Sequence, residues 1–472
     1  MKKQVWGFFC PIFLFFTIFV PTVSASSLMD FEPENSEQQA DYVNPAADIS
    51  LYATAAALLD ADSGRVLYGK NEDMPMAMAS TTKIMTCIQV LEHVSLDETL
   101  TVSAYAASMP QVKLNIRKGE EYTVRDLMYS LMLESHNDSA VALAEHVGRA
   151  LLSEELGDKP VSQYTTEESR RAVAAFAGLM NAKAAELGCE NTWFITPNGL
   201  DATEEVTLPD GSIAQKEHCT TAAELARIMA YCIGESEKSE EFLTITRTSN
   251  YSFYANGRNF SCANHNAFLT MMDGALSGKT GFTNKAGYCY VGALKSEGRT
   301  FIVALLACGW PNNKNYKWSD TKELMKYGIE NYFFRNLTEE GVIFDESRLK
   351  PILVSEGQTD ILGDAAYTAL EIVGRDGSAR EDGNIGSSSD LGTDVGVLET
   401  EHLLLRPDEQ ILVTYTVKGK LTAPVESGTQ VGTIEYSVNG TVYRREIIVT
   451  ADTVERIDLR WCVQQVIERF LL

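Results

Sequence analysis

The chain has 472 residues, with 40 Lys+Arg against 65 Asp+Glu and a formal net charge of −25. So acidic a chain excludes nucleic acid as a partner, because phosphate binding rests on clustered basic residues that release counterions. Its 45% hydrophobic and 22% charged content excludes wholesale disorder and supplies apolar cores for about three domains of ~150 residues.

Residues 1–25 read as a signal peptide. Lys2 and Lys3 form its charged start, an apolar stretch runs from Val5 to Val20 with Pro11 inside it, and Val23-Ser24-Ala25 is a small-residue cleavage pattern. Its removal predicts an exported protein working at the cell wall or the outer face of the cytoplasmic membrane. No later run reaches the ~18 apolar residues that a membrane span requires. Residues 26–50, polar and acidic, read as a flexible lead-in.

Order is predicted from Ala55. Ala55–Leu59 and Arg65–Tyr68 flank the turn Asp62-Ser63-Gly64, the pattern of a hairpin. Ile84, Cys87, Ile88 and Leu91 then repeat at helical spacing, as do Val124, Leu127, Met128 and Leu131 behind Thr123-x-x-Asp126. A further helix starts at Thr165-x-x-Glu168 and stops at Gly188; another runs from Thr221-x-x-Glu224 to about Gly234. Gly287–Leu294 and Thr300–Cys308 are apolar runs joined by Ser296-Glu297-Gly298, which predicts an antiparallel pair, and a helix over Thr321–Tyr332 follows. Strands at both ends of a helical middle predict an α/β sandwich over residues 51–340, one sheet built from both ends of the unit and covered by helices. The boundary is expected near Leu337–Val342.

Beyond it, Ile411–Val417, Gln430–Val438 and Val442–Val449, with the turn Asn439-Gly440, predict a small all-β domain over 341–453. Within it, 374–396 carries six glycines and Ser387–Ser389, a mobile loop by composition. The tail 454–472 ends in an amphipathic helix from Arg456 to Leu472, with Leu459, Val463, Val466, Ile467 and Phe470 on one face. Two readings of that helix stay open, an interfacial membrane anchor or an element docked on the β domain.

Eight cysteines follow the leader, Cys87, Cys189, Cys219, Cys232, Cys262, Cys289, Cys308 and Cys462, mostly inside apolar runs without CxxC pairs. Buried free thiols are the expectation. The six histidines show no HExxH or paired spacing, so neither a metal nor another cofactor is called for.

The chemistry is carried by three short motifs. Ser80-Thr81-Thr82-Lys83 opens the helix 84–91, and the i, i+3 spacing lets the Lys83 amine reach the Ser80 hydroxyl. A serine needs an adjacent base to become a nucleophile, and a lysine serves only where burial and a second cation lower its pKa. Ser135-His136-Asn137 lies between two helices, with Asp138 as the expected N-cap of the second. It offers a hydroxyl for proton relay and an amide for a substrate carbonyl. Lys279-Thr280-Gly281 lies on a strand, where a cation and a hydroxyl can grip a carboxylate while Gly281 permits close backbone approach. The overlapping stretch Gly274–Thr280 is not a phosphate loop, since Asp273 stands where its first glycine belongs.

The order SxxK, SxN, KTG resembles that of the low-molecular-mass penicillin-binding proteins, serine-type D-alanyl-D-alanine carboxypeptidases. The similarity extends to Ala56–Tyr68 (AALLDADSGRVLY), Phe194–Leu200 (FITPNGL), His218–Ile228 (HCTTAAELARI), Lys279–Tyr288 (KTGFTNKAGY) and, in the β domain, Leu421–Ile434. It implies a β-lactamase/DD-peptidase-like fold, an antiparallel sheet with helices on both faces plus a helical subdomain. It also implies that Ser80 attacks a peptidoglycan stem peptide, with Lys83 as general base, Ser135 as proton relay and Asn137 positioning the peptide. Lys279, Thr280 and Gly281 would bind the substrate, backbone N–H groups of Ser80 and Phe282 would hold the oxyanion, and β-lactams would acylate Ser80. Met78, His136, Thr196 and Asn198 depart from the usual family residues and bear on substrate preference. Two rivals share the motifs. A β-lactamase would want an ExxLN pattern, which Glu154-Glu155-Leu156-Gly157 does not match; a non-catalytic wall-sensing protein would not need the intact set.

Overall fold

A computed structural model describes residues 49–157, 159–207, 211–336, 343–361, 363–373 and 402–470. The signal peptide, nearly all of the lead-in, the expected boundary at 337–342 and the loop 374–396 lie outside the described residues.

The strands β1 (Ala55–Asp60), β2 (Val66–Lys70), β3 (Ala275–Thr283), β4 (Gly287–Ser296) and β5 (Arg299–Leu306) form one antiparallel sheet in the order β2-β1-β5-β4-β3. The first and last strands of the unit meet in register, Ala55 opposite Leu306 through Asp60 opposite Phe301. Their sequences are continuous apolar runs rather than alternating ones because both faces of the sheet are covered. Ala55, Ala57, Leu59, Ile302, Ala304 and Leu306 pack into a large helical layer. Their neighbours Ala56, Leu58, Phe301, Val303 and Leu305 face the other way, against Leu324, Met325 and Tyr327.

Numbering helices of eight residues or more, the helical layer comprises α1 (Lys83–His93), α2 (Val124–Leu133), α3 (Asn137–Leu151), α4 (Thr166–Glu186), α5 (Ala222–Ala230) and α6 (Ser239–Arg247). Helix α7 (Tyr316–Asn331) covers the opposite face and starts five residues before the expected position. Thr123, Thr165 and Thr221 are the N-caps the sequence marks, each hydroxyl accepting a backbone N–H three residues on. One cap differs from expectation. His136, not Asp138, occupies the N-cap of α3, and Asp138 lies inside its first turn.

A small β domain follows, in which Gln430–Val438 pairs with Thr441–Thr450 and with Leu412–Val417. Its turn residues Asn439 and Gly440 both have positive φ, +51° and +84°, the backbone a two-residue hairpin of this type demands. The domain is joined to the first by the pairing of Phe333–Asn336 with His402–Leu405 and by a buried ion pair between Arg65 and Glu409. Helix α8 (Leu459–Phe470) leaves Leu459, Val463, Val466 and Ile467 at least half exposed. All eight cysteines of the described residues are free thiols, and six of them are buried.

Candidate active site

The turn that presents Ser80 is strained. Residues Ala79–Thr82 form a single 3-10 turn ahead of α1, and Ala79 sits at φ +48°, a region an alanine rarely adopts. Met78 is fully buried beneath it. Lys83, the first residue of α1, is entirely buried, and its Nζ donates to Ser80 Oγ (2.8 Å), Asn137 Oδ1 (3.0 Å) and the Asn198 carbonyl (2.5 Å). Burial above all, and then the Lys279 charge, holds its pKa well below the ordinary lysine value, with Asp138 pulling weakly the other way.

Helices α2 and α3 meet at the second motif. Ser135 adopts φ +64°, which turns its hydroxyl to accept from Lys279 Nζ at 3.0 Å. Lys279 also donates to the Thr280 carbonyl at 2.9 Å, and burial lowers its pKa to about 7. Asn137 is held from behind, its backbone N–H on the Val112 carbonyl at 2.8 Å and its side-chain amide on the Pro110 carbonyl at 3.3 Å. Asp138 fixes the same wall: its carboxylate accepts the backbone N–H groups of Leu114 (2.9 Å), Asn115 (2.8 Å) and Ile116 (3.2 Å). His136 turns away from the cleft into the packing of α2 on α3, where Nδ1 lies 2.8 Å from Ser130 Oγ. It is not among the residues that line the cleft.

Strand β3 brings the third motif against the nucleophile. A Cβ on Gly281 would stand 2.8 Å from Ser80 N and 3.0 Å from Thr81 N, so only glycine allows the strand to pass this closely. Phe282, one residue on, is exposed, with its ring against Tyr288. The three motifs thus open on one cleft of about 550 Å³, whose lining includes Ser80, Ser135, Asn137, Thr280, Gly281 and Phe282. Lys317 lies at the same cleft, packed over the rings of Tyr288 and Trp318 at 4.8 and 4.7 Å. A second surface cleft of about 580 Å³, lined by Glu92, Asp97 and Glu98 among others, holds no such constellation.

Every residue that the sequence reading nominates is gathered in this cleft or directly behind it. What that reading lacks are the Asn198 carbonyl, which accepts from Lys83, the Asp138 carboxylate, which ties residues 114–116 behind the cleft, and Lys317 in the cleft lining. The first lies within the quoted FITPNGL stretch and the second directly follows SxN, so proximity to a motif was the available signal. Lys317 has no local signal.

Comparison with known proteins decides the family. The model of D-alanyl-D-alanine carboxypeptidases matches residues 40–150 and 171–308, together more than half of the chain. The chain belongs to the D-alanyl-D-alanine carboxypeptidase family. As a member it is a serine carboxypeptidase hydrolase, and the C-terminal domain of penicillin-binding protein 5 matches residues 407–456 of its β domain. A D-alanyl-D-alanine carboxypeptidase of Bacillus subtilis is 25% identical over 390 residues, 79% of this chain and 86% of the relative. One of Escherichia coli is 25% identical over 418 residues, covering 86% and 85%. In fold, the solved carboxypeptidase of Francisella tularensis aligns over 90% of this chain and 99% of its own with a TM-score of 0.57, at 21% identity. These D-alanyl-D-alanine carboxypeptidase likenesses do not favour the β-lactamase and non-catalytic rivals.

Proposed function

We propose that the carboxypeptidase reaction runs through Ser80, with the side chains of the cleft in the following roles. Lys83, as a free amine, takes the Ser80 proton while Oγ attacks the carbonyl of the penultimate D-alanine of a peptidoglycan stem peptide. The developing oxyanion is held by the backbone N–H groups of Ser80 and Phe282. Ser135 relays a proton to the departing amine, and the terminal D-alanine leaves as the C–N bond breaks. Water then attacks the ester, Ser80 regains its proton, and the shortened peptide is released. Asn137 positions the peptide, while Lys279 and Thr280 bind its terminal carboxylate beside Gly281. A β-lactam follows the first half of this course, its ring amide opening to leave an ester on Ser80.

The observation that carries the reading is the buried Lys83 amine, 2.8 Å from Ser80 Oγ and with its basicity depressed. Replacing Ser80→Ala should abolish both D-alanine release from a D-Ala-D-Ala peptide and covalent labelling by a fluorescent penicillin. Persistent labelling would reject the assignment. We further infer that residues 1–25 direct export, that residues 51–340 and 341–453 are separate domains, and that α8 contacts a membrane peripherally. The exposed apolar face of that helix supports the last of these. Among the described residues no helix is long and apolar enough to cross a membrane.

A further inference from the structure

One buried residue next to the nucleophile has no part in the roles above. His218 lies just ahead of α5, nearly sealed from solvent, with both ring nitrogens engaged. Nδ1 accepts the backbone N–H of Ile195 at 3.0 Å and that of Thr196 at 3.4 Å. Nε2 lies 2.8 Å from Thr82 Oγ1, which donates to the Ala79 carbonyl at 2.8 Å. A backbone N–H can only donate, so Nδ1 is the bare nitrogen and Nε2 carries the hydrogen that Thr82 accepts. A second proton would set N–H against N–H. Burial, helped by the Lys83 charge, lowers the ring's pKa to about 3 and keeps it neutral.

The segment that this ring grips is the inner wall of the site. The Asn198 carbonyl takes the shortest hydrogen bond of Lys83 Nζ, and the Pro197 carbonyl accepts from Thr86 Oγ1 at 2.7 Å. Gly199, at φ +82°, packs so tightly on the nucleophile turn that a Cβ would stand 2.0 Å from the Ala79 oxygen. Contact with Lys83 goes through the main chain of residue 198, so its side chain is free to vary while the backbone height is not. The two ends of the histidine differ in consequence. Without Nε2, Thr82 still ties the turn through Ala79; without Nδ1, two partly buried N–H groups at the start of the wall lose their acceptor.

We propose that His218 is a positioning residue for acylation, a neutral imidazole that sets the height of the Ile195–Leu200 segment so that the Asn198 carbonyl aims the Lys83 amine at Ser80. The inference rests on Lys83 being the base. A misplacement of about 1 Å at a reacting group lowers a rate by ~100-fold, which sets the scale.

The test is penicillin acylation of the full chain, with the first-order acylation constant and the pre-acylation Kd measured separately. His218→Phe should slow acylation by about 100-fold with Kd changed by less than about twofold. His218→Asn, whose oxygen stands near the Nδ1 position, should recover the rate to within about fivefold, whereas His218→Gln, which reaches toward Nε2, should stay slow. A purely structural histidine would lower the folded fraction and leave the constant per active site alone. An unchanged constant in folded His218→Phe, equal loss in the Asn and Gln variants, or a loss carried by Kd overturns the proposal. If the variants do not fold, the parent chain labelled with 15N-histidine decides. His218 should appear as the Nε2–H tautomer and not titrate between about pH 5 and about pH 9; the other tautomer, or titration in that range, overturns it. If Ser80→Ala still labels, the underlying reading fails instead, so the two failures are told apart.

Discussion

Helix α1 seals an amine, Lys83, wholly inside the protein, whereas helix α8 leaves Leu459, Val463, Val466 and Ile467 at least half exposed to water. Ordinary sorting would place these groups the other way round. Burying an amine works against folding, and the proposed mechanism gives it a use at Lys83, since a desolvated amine with a lowered pKa can take a proton from Ser80. Exposing an apolar stripe works against solubility and is retained where another surface covers it. The lesson of the pair is that a violated burial rule asks for a partner, and the ones proposed above are a reacting substrate at one helix and a lipid surface at the other.

The largest effect is expected at the buried amine. Lys83→Met should lower the acylation rate by at least ~1,000-fold while the thermal midpoint holds or rises, since the apolar chain has no charge to desolvate. A drop in both would mean that the amine is a structural strut. The pH profile sharpens the same point. A lysine with its ordinary pKa near 10.5 would make acylation climb about tenfold per pH unit until that pKa is approached; with the depressed pKa of Lys83 the rate should level off at a lower pH than that. Lys279→Gln removes the like charge that helps depress it, so the acid limb should move to higher pH.

At the exposed end, Val463→Glu with Ile467→Glu, or truncation after Thr453, should reduce co-sedimentation with anionic lipid vesicles by about tenfold or more and leave D-alanine release intact. Unchanged co-sedimentation would leave α8 without a lipid partner. The smallest effect is expected at Glu145, a buried carboxyl whose Oε1 accepts from Ser103 at 2.9 Å and whose Oε2 has no hydrogen-bond partner. Burial raises its pKa from 4.5 to about 7. An acid with a raised pKa destabilises the fold once ionised, so the penalty is absent below about pH 4.5, grows to about pH 7 and then stays. Glu145→Gln should therefore raise the unfolding free energy by ~1–2 kcal/mol at pH 8 and by little at pH 4, as urea unfolding would read.

The sequence was most informative where one local rule decides the outcome. The threonine caps at 123, 165 and 221, the Asn439-Gly440 turn, and the apolar runs of β1 and β5 each follow from propensity or burial alone. The i, i+3 reach of Lys83 to Ser80 also follows from helical spacing, although Ser80 sits on a 3-10 turn rather than in the helix proper. The N-cap of α3 was misread because Asp138 is a good cap in isolation. Here its carboxylate is claimed by three backbone N–H groups of residues 114–116, a tertiary demand with no local signature. The start of α7 at Tyr316 was hidden for a similar reason, since its first turn is held by Tyr52 stacked on Tyr316 at 3.7 Å. His218 lies 138 residues beyond Ser80, and only the folded chain shows that it stands behind the nucleophile.

The pairing of β1 with β5 has a consequence for synthesis. Ala55 finds its partner only at Leu306, and Lys279 hangs on the same sheet through β4. Until a nascent chain has been made through β5, its first strand has only β2 beside it, the far edge of the β1–β2 hairpin is unpaired, and the hydroxyl at position 80 has no second amine beside it. Such long-range closure is slow, and it comes late. Any translation product stopped short of residue 299 should be inert toward penicillin, so drug labelling doubles as a length check on the finished polypeptide.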